Sequence, residues 1–147
     1  MADALVVGYG SDLRRDDAAG RHVVRAIAAR GLAGVRTLEV HQLTPELAAE
    51  IATSRKVVFV DAAVGAETVE RRSIDRAAVA TGGATHHADP ADLLALTRHT
   101  HGAAPPAILV TIPAADLGLG EELSPATRRH VAEAIEMVAA EVRAASD

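Results

Sequence analysis

The 147-residue chain contains no cysteine and no tryptophan, and Tyr9 and Phe59 are its only aromatic residues. Without thiols there are no disulfides, no thiolate metal sites and no cysteine nucleophile, so any metal must be held by histidine, carboxylate or backbone oxygen. The core must be built from Ala, Val, Leu and Ile. Clustered positive charge is missing too. The formal net charge is -5, and Arg14-Arg15, Arg71-Arg72 and Arg128-Arg129 are separate pairs rather than the stripe that phosphate binding demands. No nucleic-acid partner is expected. No apolar run approaches the ~20 residues that span a bilayer, and the opening "MADALVVGYG" lacks the charged and long apolar regions of a signal peptide. No membrane association is expected, and the chain reads as cytoplasmic.

What is present suits one domain over residues 1–147, with no internal repeat and no dividing linker. "ALVVGYG" is a short apolar run breaking at glycine, which predicts a buried parallel strand feeding a turn. Val23, Val24 and Ile27 then fall at helical spacing, and Gly31 stops the helix. Residues 35–40 alternate as a strand. "LTPELAAEIA" predicts a helix with Thr44 as N-cap and Pro45 at its first position. "KVVFVDA" is a buried, central strand ending on Asp61, and residues 66–80 hold a charged edge strand. After the histidine-bearing loop "TGGATHHADP", Asp89-Pro90 opens a helix, "PAILVTIP" forms another buried strand, and "AADLGLGEEL" a surface loop. Ser124-Pro125 starts a last helix carrying Val131, Ile135, Val138 and Val142 on one side. Together these predict an α/β fold: a three-layer sandwich around a mainly parallel, twisted sheet of about five strands, with helices on both faces. In such sheets ligands bind beyond the carboxyl ends of the strands, where strand order reverses. If the first and third strands are neighbours there, Asp17 and Asp61 share one crevice.

The opening loop "GYGSDLRRDDAAG" poses the functional question. A dinucleotide loop needs a glycine where Leu13 stands, a Walker lysine and serine are absent, and Asp16 and Asp17 would repel a phosphate at the helix N-terminus. The structural alternative for the two aspartates is capping, in which free N–H groups are satisfied and the helix dipole is complemented. One can cap while the other points outward. Asp61 either bonds loop backbone or serves a site, because burial of an unpartnered carboxylate is expensive. Of the histidines, His22, His99, His101 and His130 read as solvated. At most one of His86 and His87 is a ligand, and His41, at the end of the second strand in "EVHQL", could either be solvated or line the same crevice. "GYGSDL" is no nucleophile elbow for Ser11. Two carboxylates and an imidazole form a borderline-hard set suited to Zn, Ni, Fe or Mn.

"GYGSDLRRDDAAG", "VVFVDA", "THHADPADLLAL" and "LGLGEELSPATRRHVAEAI", in that order over nearly the whole chain, resemble the hydrogenase maturation proteases, which finish the large subunit of nickel-iron hydrogenases. Gly8, Gly10, Asp16, Asp17 and Gly20 follow that family's opening motif. Ser11 stands in place of its usual Asn, Asp17 where some members have Glu, and Ala18 where many have Gly. The resemblance implies that Asp17, Asp61 and a loop histidine contact metal, with His86 favoured over His87 by its distance from Leu93-Leu94. It also implies that these residues recognise nickel carried by the precursor, with no organic cofactor, before a short C-terminal peptide is cut off. The expected partner is the large-subunit precursor. Activated water is the expected nucleophile, and amides near Gly10 are expected to steady the oxyanion. Two alternatives are a non-catalytic nickel-checking module on the same fold and a small-ligand-binding α/β domain.

Overall fold

A computed structural model of the chain describes residues 1–74 and 89–146. The strands are β1 (Ala4–Tyr9), β2 (Val35–Val40), β3 (Val57–Val64), β4 (Glu70–Ile74) and β5 (Ala107–Ala114). The helices are α1 (Ala19–Ala29), α2 (Leu47–Ala52), α3 (Pro90–His101) and α4 (Pro125–Ser146), and a single 3₁₀ turn, Arg15–Ala18, precedes α1. They assemble as a five-stranded sheet in the order β2-β1-β3-β5-β4. All pairings are parallel except that of β4, which runs antiparallel to β5 at the edge. The α/β expectation holds, and so does the charged edge strand.

Period-two alternation divides the sheet residues between two apolar clusters. Val6, Val58, Val60, Val110 and Ile112 meet Val23, Val24 and Ile27 of α1 and Val131, Ala134, Val138 and Val142 of α4. Leu5, Val7, Phe59 and Leu109 meet Leu47 and Ile51 of α2 and Leu93 and Leu94 of α3 on the other face. The helices therefore cover both faces, and no helix of the described residues is long and apolar enough to cross a membrane.

Helix starts follow local capping chemistry in two of the four helices, α3 and α4. Asp89 accepts from the Asp92 amide at 2.8 Å, with Pro90 next to it. The Ser124 hydroxyl accepts from Thr127 N at 3.4 Å at the head of α4. The Thr44 cap does not form. Residues 45–46 make a turn, α2 begins at Leu47, and Glu46 occupies the cap position with no side-chain capping bond. The apolar side of Leu47, Ala48 and Ile51, buried against the sheet, sets where this short helix begins.

β3 also differs from expectation, because it continues to Val64 instead of ending on Asp61. β5 goes on pairing with it up to Ala114, whereas β1 leaves it after the Gly8–Val60 pair. Asp61 is thus the first β3 residue beyond the edge of β1. The chain leaves β1 on opposite sides to reach β2 and β3, so the strand order reverses between β1 and β3, the place where an open α/β sheet forms its crevice.

Candidate functional site

A cleft of about 340 Å³ opens at that switch point, lined by Tyr9 and Gly10 from the end of β1, Asp17 from the 3₁₀ turn, His41–Leu43 after β2, and Asp61. A larger hollow of about 480 Å³ lies at the opposite ends of the strands, between Met1, Gly34, Arg36 and Thr53. Its described lining has no carboxylate or imidazole, so it lacks the groups that the chemistry would need.

The two adjacent aspartates have different fates, and neither caps its own helix. Asp16 is fully buried. Its Oδ2 accepts from Ala115 N (2.9 Å), Asp116 N (2.8 Å) and the Ser124 hydroxyl (2.8 Å), and its Oδ1 from Ser124 N (2.7 Å). Burial alone would raise its pKa, but these donors outweigh burial and hold it at about 2. The loop after β5 is therefore more than a surface connection. It is sewn to the opening loop through Asp16 and through backbone bonds between Gly120 and residues 13 and 15.

Asp17 turns the other way, into the cleft. Its Oδ2 accepts from Ser11 N at 2.7 Å, and its Oδ1 accepts no hydrogen bond among the described residues. Gly10 makes this possible. Its φ is +141°, and a Cβ there would drive into the Asp17 carbonyl oxygen. The Ser11 hydroxyl closes a turn, accepting from Leu13 N at 3.3 Å. Arg21 donates to the Gly10 carbonyl at 3.3 Å, and Arg21 and Arg25 together bind Asp12 and Glu39, tying the loop to α1 and β2. The expected oxyanion donors do not materialise: the Gly10 amide is bonded to Val40 O and the Ser11 amide to Asp17.

Asp61 faces Asp17 across the cleft. Its Oδ1 accepts from Ala62 N at 2.8 Å, and the Tyr9 hydroxyl stands beside the same carboxylate. Burial raises the Asp61 pKa, the Tyr9 hydroxyl and the Ala62 amide oppose the rise, and the charge of Asp17 adds to it, giving about 6. A carboxylate whose ionisation is made costly by burial and by a second carboxylate at the same opening makes a site that a cation would relieve. His41 lines this cleft, while His86 and His87 lie outside the described residues. Among the described residues no third His, Asp or Glu stands close enough to complete a metal-binding group.

Several features of the site were not legible in the sequence. Tyr9 was visible only as one of two aromatics, although its place two residues after Val7 puts it on the Asp61 face of β1. The helix-packing glycine missing at position 13 is supplied by Gly20, whose Cβ would strike the Val60 carbonyl, while one on Gly8 would strike Gly20 itself. α1 thereby lies close on β1 and β3.

No known protein family matches the chain as a pattern, and no curated protein matches it in sequence. Solved structures do. The hydrogenase maturating endopeptidase HybD from E. coli superposes with a TM-score of 0.77 at 23% identity, over 97% of this chain and 93% of that one. The [NiFe] hydrogenase maturation protease HycI from Thermococcus kodakarensis KOD1 gives 0.74 at 23% identity, over 95% and 92%. HybD from Thermococcus kodakarensis gives 0.71 at 22% identity, over 97% and 99%. Over nearly its whole length, this chain shares the fold of the hydrogenase maturation endopeptidases.

Proposed function

We propose that the chain is an endopeptidase that removes the C-terminal extension of a nickel-iron hydrogenase large-subunit precursor after nickel insertion, recognising the bound nickel through Asp17, Asp61 and His86. The observation that carries this reading is the pair of carboxylates facing each other across one cleft at the switch point. The likeness in fold to proteins named as hydrogenase maturation endopeptidases and proteases supports it. His86 precedes Asp89 by three residues, and the charge of Asp89 reaches Tyr9 in the cleft wall.

Nickel is then part of the substrate. Asp17 and Asp61 offer hard, anionic oxygens and His86 an imidazole, a borderline set that leaves coordination positions for the precursor's own ligands. Gripping the ion holds the scissile peptide at the cleft, which lowers the entropic cost of attack. A water activated beside the carboxylates adds to the carbonyl carbon, and the C–N bond breaks to release the extension. With no cysteine in the chain and no base coupled to Ser11, water is preferred to a covalent acyl-enzyme.

The test is a cleavage assay on nickel-loaded and nickel-free precursor, read by product mass. Loss of a C-terminal peptide from the nickel-loaded sample only is the expected result. Binding of the loaded precursor without cleavage would replace the protease with a nickel-checking module, and cleavage of both samples alike would remove nickel from recognition.

A further inference from the structure

The geometry points to Tyr9 as a positioning residue of this cleft: its hydroxyl holds the Asp61 carboxylate in the orientation from which that carboxylate meets the precursor's nickel. The inference rests on reading the cleft as the grip for that ion. Three observations carry it. First, Leu5, Val7 and Tyr9 share one face of β1, and Val57, Phe59 and Asp61 share the same face of the adjacent β3. Since Gly8 pairs with Val60, the next residues, Tyr9 and Asp61, stand side by side just where the two strands part. Second, both side chains line the cleft, where the Tyr9 hydroxyl stands beside the Asp61 carboxylate and is placed to donate to it. Third, the backbone gives the Asp61 carboxylate a single hydrogen bond among the described residues, from its neighbour Ala62 N at 2.8 Å. That bond fixes one oxygen to the backbone and leaves the rotation of the carboxylate to Tyr9.

A tyrosine suits this task. Its ring is half-buried against the α2–α3 side of the core, so the hydroxyl is presented from a rigid support with few rotamers. A single O–H donor engages the carboxylate without neutralising it, leaving lone pairs for a cation. Outer partners of this kind orient metal-binding carboxylates, and their loss typically costs about 10–100-fold in metal affinity or activity.

The composition supplies the probe. Tyr9 is the only tyrosine and the chain has no tryptophan, so the tyrosine emission of the intact protein comes from this site alone. Hydrogen bonding of a phenol to a carboxylate quenches that emission. In metal-free protein, Asp61→Ala should raise the emission clearly, whereas Asp17→Ala, which removes a carboxylate not bonded to Tyr9, should leave it near wild type. Tyr9→Phe should melt near wild type, raise KM for nickel-loaded precursor about tenfold or more, and change kcat less. Emission indifferent to Asp61→Ala, or unchanged KM in Tyr9→Phe, would overturn the inference. If wild type cleaves no precursor, the proposed activity falls by itself. The Tyr9–Asp61 pair is then decided by the emission and by whether Tyr9→Phe weakens binding of nickel(II) ion alone.

Discussion

At the scale of the residue, Asp16 and Asp17 show how little adjacency says about role. Asp16 gathers four donors in a fully buried position, so Asp16→Ala leaves those donors without a partner and should cost about 2–4 kcal/mol, read as a drop in denaturant midpoint. Asp17 is bonded by one amide at the cleft. Asp17→Ala should therefore cost about 1 kcal/mol or less and yet stop precursor processing. A variant pair with the reverse pattern would exchange the two assignments. Gly10→Ala should damage both properties, because φ of +141° and the Asp17 carbonyl exclude a Cβ. A loss of about 2 kcal/mol or more, together with lost cleavage, is expected.

At the scale of the element, the long helix α4 is pinned to the sheet by Glu141, which pairs with Lys56 at 2.8 Å and with Arg71 of β4. Burial tends to raise the Glu141 pKa, but the hydrogen bonds of Arg71 and Lys56 outweigh burial and leave it below the ordinary glutamate value. A carboxyl lowered on folding stabilises fully above its unfolded pKa of about 4.3 and loses that stabilisation as pH falls through the folded value. Glu141→Gln should accordingly lower the melting temperature at neutral pH and flatten its decline below about pH 4. A variant with the same acid slope as wild type would show that the pinning is absent in solution. Elements differ in how well their sequence announces them. β1, β3 and β5 are short apolar runs that have no alternative to burial, and α3 carries its own cap in Asp89-Pro90. The start of α2 was not legible from Thr44 because packing of Leu47 and Ile51 decides it.

At the scale of the whole molecule, one sheet is shared by two apolar clusters, so neither face can come apart without exposing the other side of the same strands. Ile27→Ala on the α1 face and Leu94→Ala on the α3 face should each cost about 2–5 kcal/mol and shift one common thermal transition. Two separable transitions would contradict the shared sheet. The sequence by itself determined the alternation of strands and helices, the parallel centre of the sheet and the charged edge, because periodicity and apolar runs are local properties that fix which side of an element must be buried. It also supplied the two carboxylates near strand ends. Only the tertiary structure decided that Asp16 is an internal tie while Asp17 faces the cleft, that the amides of Gly10 and Ser11 are already engaged, and that Tyr9 stands beside Asp61. The tie of Asp16 turns on partners about a hundred residues away, the Gly10 amide on Val40 of β2, and the neighbourhood of Tyr9 and Asp61 on the pairing of β1 with β3. The partner of a buried polar group is set by which chains meet in space, and no local pattern in the sequence encodes that meeting.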